Sequence, residues 1–419
     1  MKNNMLFKVF LSMALALAAG VLTGPKATIL GILYVDIFGF IGQLFLNALT
    51  LVVVPLVAAS IITGTAKMSG DHSFGSLGAK TFSLFIGTVT AAVIIGWIVA
   101  MMISPGQFLD AGMEPLGQGV QQAVIDLDEK GAFSTLQAIF FKLIPSNILA
   151  VASQGQMLGL IFFTLLFGFF LPKIEKGPGE IVLGFWKGLF QVMMCMTHVV
   201  MQALPYGVFG LVAKVVATTG TEAIKSIGAF FGTVLVGLAV YSFLFLPVLL
   251  SFVGRVNPLR HFKAMGPALL AAFSTSSSAA TLPITIECVE KRAGVSNRIT
   301  SFTLPLATTL NLSGTALYVC VASFFICQAY GVELTFGLQM LVIIMSVLTS
   351  FGMAGIPSAS LVAIVMILNS AGLPGDGVAL ILAVERILDM FRTVVNVLGN
   401  TCSAVIVARS EGERHVLSH

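Results

Sequence analysis

Charge is what this chain has least of. Only 10% of its 419 residues are Asp, Glu, Lys or Arg, where an ordinary soluble domain carries roughly 25%. So little charge cannot cover a water-facing surface, which excludes a soluble enzyme. The 22 Lys and Arg barely outnumber the 18 Asp and Glu. They form no basic block, so nucleic acid is not an expected partner, and a modest cation excess fits the cytoplasmic loops of membrane proteins. The five cysteines, Cys195, Cys288, Cys320, Cys327 and Cys402, stand singly in apolar stretches. They have neither metal-ligand spacing nor the pattern of a disulfide framework, and read as small buried hydrophobes. Histidine is scarce too: only His198 falls in an apolar segment, while His72, His261, His415 and His419 read as loop or tail residues. An intramembrane enzyme would need a nucleophile and base or a metal cluster, and no such motif is present.

What remains is apolar: 57% of the residues are hydrophobic and the mean hydropathy is +1.01. At about 20 residues per span, the length holds roughly eight to ten transmembrane helices. The fold class is an all-α polytopic membrane protein. Lys2, the apolar run after it and Ala18-Ala19-Gly20 imitate a secretory signal, but the chain stays apolar throughout and a first transmembrane helix is the preferred reading. Long apolar segments run over 5–24, 37–64, 81–104, 155–172, 182–215 and 225–252. The stretch 105–135, with Asp110, Glu114, Asp126, Asp128, Glu129 and Lys130, reads as an extramembrane loop.

After Asn257 the apolar stretches are interrupted by small hydroxyl residues. One cluster is Phe273-Ser-Thr-Ser-Ser-Ser-Ala-Ala-Thr-Leu-Pro283 and the other Ser350-Phe-Gly-Met-Ala-Gly-Ile-Pro-Ser-Ala-Ser360. Each lies between apolar arms too short to cross a bilayer alone, the pattern of a re-entrant helical hairpin. Each is followed by a helix with an Asn-x-x-Gly break, at Asn311–Gly314 and again at Asn396–Gly399. A duplicated pair of interrupted hydrophobic segments points to a transporter's binding site.

The last apolar segment, about 378–408, carries Glu385, Arg386, Asp389 and Arg392, then Asn396 and Asn400. At about 100° per residue, positions 385, 389, 392, 396 and 400 share a sector of roughly 80°. Ionised groups in a membrane helix cost about 2.5–3.5 kcal/mol each on insertion scales, so the stripe faces a polar interior or pairs internally. Two readings stand. In one, Glu385 and Asp389 neutralise Arg392 and Arg386. In the other, Arg392 awaits a ligand carboxylate, which its planar fork fits bidentately. Asp389, about 5 Å along the axis, then takes an ammonium group. A zwitterion with an acidic side chain suits that spacing.

These motifs carry a resemblance. Ser276-Ser-Ser-Ala-Ala-Thr-Leu-Pro283, Asn311-Leu-Ser-Gly-Thr-Ala-Leu-Tyr318, Ala354-Gly-Ile-Pro357 and Asp389-Met-Phe-Arg-Thr-Val-Val-Asn-Val-Leu-Gly399 occur in order along the chain. The sequence resembles the dicarboxylate/amino acid:cation symporter family, the glutamate transporter homologues, over essentially its whole length. The resemblance implies eight transmembrane helices and two re-entrant hairpins, assembled as a homotrimer in the cytoplasmic (inner) membrane of a bacterium-like cell. It implies scaffold helices 1–2 in residues 1–80, helix 3 in 81–104, the loop 105–135, and scaffold helices 4–5 in 136–215. Helix 6 follows in 225–252, then a transport core of hairpin 1, helix 7, hairpin 2 and helix 8 in 258–410 and a cytoplasmic tail in 411–419. Helices 3 and 6 travel with the core as an elevator, although the first half alone reads as scaffold.

The resemblance also implies roles for single residues. Arg392 takes the substrate's side-chain carboxylate and Asp389 its amino group. Asn396 and the backbone around Ser276, Ser277 and Ser278 meet the α-carboxylate, Thr315 and Thr393 complete the pocket with Ser360, and Ile356 and Pro357 lie in the gating second hairpin. Keeping both Arg392 and Asp389 points to aspartate or glutamate. Sodium-coupled members have carboxylates where Ser313 and Asn400 stand, and oxygen ligands where Phe85 and Val89 stand. Hard cations want oxygen, so at least two sodium sites are expected to be crippled. A third, of backbone carbonyls near Thr309, Leu312, Ser350 and Met353 with Asn311 close by, would survive. Proton coupling is therefore the preferred reading and sodium coupling on the same fold its alternative. Val319 removes the glutamate that proton-carrying mammalian relatives have there, leaving Glu385 and Glu287 as candidate carriers. No cofactor or resident metal is expected. A passive channel is disfavoured, because paired ligand charges suit stoichiometric binding.

Overall fold

The computed structural model describes residues 2–69, 75–108, 141, 144–153, 157–219, 222–351, 359–413 and 415–417. Apolar helices dominate, since in lipid a helix satisfies its own backbone polar groups. In chain order they are α1 (Lys2–Thr23), α2 (Tyr34–Ser69), α3 (Gly75–Ile103), α4 (Met157–Phe170), α5 (Lys176–Gln202), α6 (Leu204–Thr219) and α7 (Glu222–Val240), the last running on through π-helical turns to Gly254. Then follow α8 (Pro258–Thr275), α9 (Ser278–Glu287), α10 (Asn297–Leu310), α11 (Ser313–Ala329), α12 (Phe336–Ser350), α13 (Ala359–Ser370) and α14 (Ala379–Ser410). Among the described residues the strands are β1 (Thr28–Ile29) and β2 (Ile32–Leu33), an antiparallel pair between α1 and α2. Leu30 and Gly31 turn it with φ of 52° and 82°, left-handed at both central positions as a tight hairpin requires.

Among the described residues, four helical stretches are long and apolar enough to cross a membrane: Leu77–Gln107, Lys225–Gly254, Asn297–Ala329 and Ala379–Ser410. The expected single segment 182–215 is instead a bent pair, α5 and α6, meeting at 55°. Pro205, in the first turn of α6, has no N–H to continue the preceding helix. Large apolar side chains such as Phe40, Phe185, Val199, Phe243, Leu259 and Leu270 are exposed, as lipid-facing surface would have them.

The helices sort into two packed groups. α2 packs on α4, α5 and α6, and α1 on α6. α3 and α7 pack on α11 and α14 instead, as do α8, α10 and α13, and α14 also lies against α6 of the first group. α11 and α14 form the centre of this second group; every residue of α11 is buried.

Around the first hydroxyl cluster the chain forms two packed helices, α8 and α9, parted at Ser276, whose φ is 49°. Ser277 caps α9, its Oγ accepting the Ala280 N–H at 3.2 Å, which satisfies one of the helix's orphan donors. α12 and α13 flank the second hydroxyl cluster. Its tip, with Met353, Ile356 and Pro357, lies outside the described residues.

The two Asn-x-x-Gly motifs differ, which corrects the sequence reading. Asn311 and Leu312 do break the helix between α10 and α11. Asn396–Gly399 does not: α14 runs unbroken through it. The physical reason is packing. A Cβ on Gly399 would lie 2.9 Å from Ser313 Oγ, and one on Gly314 would lie 2.9 Å from Arg392 O. Each glycine lets α11 and α14 approach closely, as small residues do in membrane helix interfaces.

A second correction concerns His261. It lies in α8, not in a loop, because Asn257 caps that helix and Pro258 starts it. It is fully buried, with Nε2 3.1 Å from Thr401 Oγ1. The C-terminal segment is also bound. Lys80 pairs with Glu411 at 2.6 Å, Ser296 N donates to Glu413 Oε2 at 3.1 Å, and Leu417 N donates to Ala293 O at 2.9 Å.

Gly314→Ala would push a methyl group against backbone that cannot move aside, at a cost of about 1–3 kcal/mol. Gly87→Ala, inside α3 where nothing lies within 4 Å, should stabilise by about 0.5–1 kcal/mol by removing the entropy cost of a helical glycine. Thermal unfolding of the detergent-solubilised protein should show the first midpoint lowered and the second slightly raised.

Candidate functional site

Four ionisable side chains of α14 meet at one face. Glu385, Asp389 and Arg392 are 2%, 5% and 1% exposed. Arg392 Nη2 lies 2.9 Å from Glu385 Oε1 and 2.6 Å from Asp389 Oδ1, and Nη1 lies 3.3 Å from Glu385 Oε2. Arg386 reaches Asp389 Oδ2 at 3.3 Å. Both carboxylates thus share Arg392, Glu385 in the two-pronged manner that a guanidinium favours. Neutralisation and ligand binding, the two readings of the stripe, use the same atoms.

Neighbouring helices complete the enclosure. Tyr318 of α11 lays its ring 3.9 Å from the Arg392 guanidinium carbon, and its hydroxyl donates to Glu385 Oε2. Ser360 of α13 donates to Glu385 Oε1 at 3.0 Å. Thr393 Oγ1 donates to Asp389 O at 2.8 Å. Asn396 spans to the broken helix: its Oδ1 accepts the N–H groups of Gly314 and Thr315 at 2.9 and 3.2 Å, and its Nδ2 donates to Thr315 Oγ1 at 2.8 Å. An amide of α14 thereby caps the start of α11, whose first N–H groups have no partner within the helix. Ser276, Ser277 and Ser278 are buried at the turn between α8 and α9, and Ser278 Oγ has no hydrogen-bond partner among the described residues. That turn is held near the stripe, since Phe273 meets Phe391 edge-on at 5.3 Å.

A second polar cluster lies one to two turns further along α14. Asn311 Oδ1 accepts from Thr88 Oγ1 at 3.0 Å and its Nδ2 donates to Ser403 Oγ at 3.3 Å. With its amide oriented to suit its neighbours, Asn400 donates to Asn311 O at 2.9 Å and to Asn396 O at 3.2 Å. Ser313 is fully buried beside Gly399. Thr309 and Ser350 spend their hydroxyls on Leu306 O and Val347 O, at 3.0 and 2.6 Å. Phe85 packs with Leu306, Ala307, Leu310 and Phe351, and Val89 lies in the main core. The cluster is therefore built of neutral groups. Glu287 stands apart from both clusters, at the end of α9, largely exposed and paired with Lys291 at 3.1 Å.

Tyr318 is the site residue that sequence reasoning passed over, although it closes the Asn311–Tyr318 motif. The available signal was its spacing, three residues after Thr315 and hence on the same helical face.

With this geometry in place, the relatives are informative. The Sodium:dicarboxylate symporter family pattern matches residues 5–410, and the chain belongs to that family. It is 33% identical to the proton/sodium-glutamate symport protein of Bacillus subtilis (strain 168), over 89% of this chain and 86% of the relative. It is 31% identical to the proton/glutamate-aspartate symporter of Escherichia coli (strain K12), over 90% and 86% of the two chains. Excitatory amino acid transporter 3 of Homo sapiens is 33% identical, over 98% and 86%. The protein is a multi-pass membrane transporter of a cation-coupled symporter family, not an enzyme.

Tyr318→Phe removes a hydrogen bond to a buried carboxylate and should lower stability by about 1.5–3 kcal/mol. Tyr318→Leu also removes the ring from Arg392, a further loss of about 0.5–2 kcal/mol. Thermal denaturation in detergent should rank wild type, Phe and Leu in that order.

Proposed function

We propose that the protein is a secondary active symporter that imports acidic amino acids, glutamate or aspartate, across the cytoplasmic membrane. The observation that carries this reading is the pairing of a buried guanidinium with a buried carboxylate three residues away on one helix, at Arg392 and Asp389. A guanidinium recognises a side-chain carboxylate and Asp389 an ammonium group. The N-terminal turns of α9 and α11, at Ser277, Ser278 and Thr315, supply the positive helix ends that favour the α-carboxylate.

The coupling ion in this reading is the proton. Neutral Ser313, Asn311 and Asn400 and apolar Phe85 and Val89 make a poor site for a hard cation, whereas Glu385 is a protonatable group in direct contact with the substrate-binding guanidinium. The reading includes eight transmembrane helices, two re-entrant hairpins and a homotrimer. In it, α1, α2, α4, α5 and α6 are a fixed scaffold and the second helix group is the moving body of an elevator. The densest packing of each helix falls within its own group, which supports that division, and α6 against α14 is the main contact between the two.

Liposomes containing the protein test this directly. Labelled aspartate or glutamate should accumulate under an imposed inward proton gradient without sodium, and Arg392→Ala should abolish uptake. Uptake that ignores the proton gradient and requires a sodium gradient would replace the coupling ion. Unchanged uptake by the Arg392 variant would overturn the substrate assignment.

A further inference from the structure

The four charges of α14 are arranged as a closed set. Glu385 and Arg386 are sequence neighbours, yet each turns to a different partner: Glu385 to the fork of Arg392, Arg386 to the outer oxygen of Asp389. One presents a carboxylate to the group that would take the ligand's side-chain carboxylate. The other presents a cation to the group that would take its ammonium. We propose that Glu385 and Arg386 are an internal stand-in for the substrate, pairing with both recognition groups and leaving them when an acidic amino acid binds. This deepens the function proposed above and rests on it.

The charge arithmetic gives the stand-in a consequence. Within the set two carboxylates face two guanidinium groups, so it is neutral. An acidic amino acid carries two negative charges and one positive, and its arrival adds one negative charge to a buried place. Displaced from Arg392, Glu385 would keep the Tyr318 hydroxyl and the Ser360 hydroxyl as partners but lose its counter-charge. A buried carboxylate without a counter-charge is stabilised by taking a proton. Tyr318 of α11 and Ser360 of α13 are the groups that face Glu385 from other helices among the described residues, and Arg392 and Asp389 face it from its own. Of the two carboxylates, Asp389 keeps a counter-charge in the ligand's ammonium, and Glu385 does not. The proton thus arrives with the substrate, at Glu385, and the two ligands assist one another reciprocally. Arg386 sets a second property. By competing with the ammonium for Asp389, it weakens selection for the amino group.

Calorimetric titration of the detergent-purified full-length protein, at fixed sodium, tests both arms, with aspartate and succinate as probes. In wild type, aspartate binding should take up about one proton, read from buffers of different ionisation enthalpy, and should weaken as pH rises. Glu385→Gln keeps the size of the side chain and removes its charge. It should bind aspartate roughly tenfold more tightly, because the internal competitor is gone, with no proton uptake and no pH dependence. Arg386→Gln should raise the preference for aspartate over succinate roughly tenfold. Wild-type binding of aspartate without proton uptake would overturn the proposal whatever the variants do. So would proton uptake that persists in Glu385→Gln, or an equal loss of both probes in Arg386→Gln. If wild type binds aspartate yet one of these results appears, only the stand-in fails. If wild type binds no acidic amino acid, the substrate reading fails with it.

Discussion

One constraint orders the whole second helix group: a guanidinium, that of Arg392, buried almost completely inside a membrane protein. Removing such a charge from water costs several kcal/mol even after relaxation, so the surroundings must compensate it. Two carboxylates of its own helix meet its Nη groups and the ring of Tyr318 covers its face, while Nε has no partner among the described residues. The carboxylates in turn need partners, and Ser360 and Arg386 provide them. Around this set the other helices are placed by what they contribute: α11 brings Tyr318 and α13 brings Ser360.

Compensation at that depth demands close approach of α11 and α14, and the backbone is adapted for it. Gly314 and Gly399 each stand where any side chain would collide with the opposite helix. Asn396 turns its amide on the freed start of α11, so that the N–H groups of Gly314 and Thr315 have a partner despite the interruption at Asn311 and Leu312. A helix break inside a membrane is tolerated only when protein groups satisfy it, and here one side chain does much of that work.

The features legible in the sequence were those whose signal is local. The charged stripe of α14, the Asn311 interruption and the Ser276–Ser277 turn follow from helical periodicity, insertion cost and small hydroxyl residues in an apolar context. The features that were not legible depend on a partner helix. Gly399 reads like the Gly314 motif, yet α14 stays straight because that glycine answers a neighbour, Ser313, and not its own backbone. Tyr318 looked like one more aromatic in a buried helix until the guanidinium beneath its ring was visible. His261 and Thr401 meet across 140 positions of sequence, which no periodicity reports. The division into two helix groups was equally out of reach of the residues alone, since α3 and α7 are as apolar as the helices they leave.

The bound C-terminal segment has a mechanical consequence. Glu411, Glu413 and Leu417 tie the end of α14 to the start of α3 and to the turn that follows α9. The helix that carries the charged stripe is therefore fastened to the base of the α8–α9 pair at the end opposite its N-terminus. Torque applied at that end is shared among these elements instead of twisting α14 alone. Glu385 to Arg392, more than four turns away from the fastening, sit on a shaft whose far end is clamped.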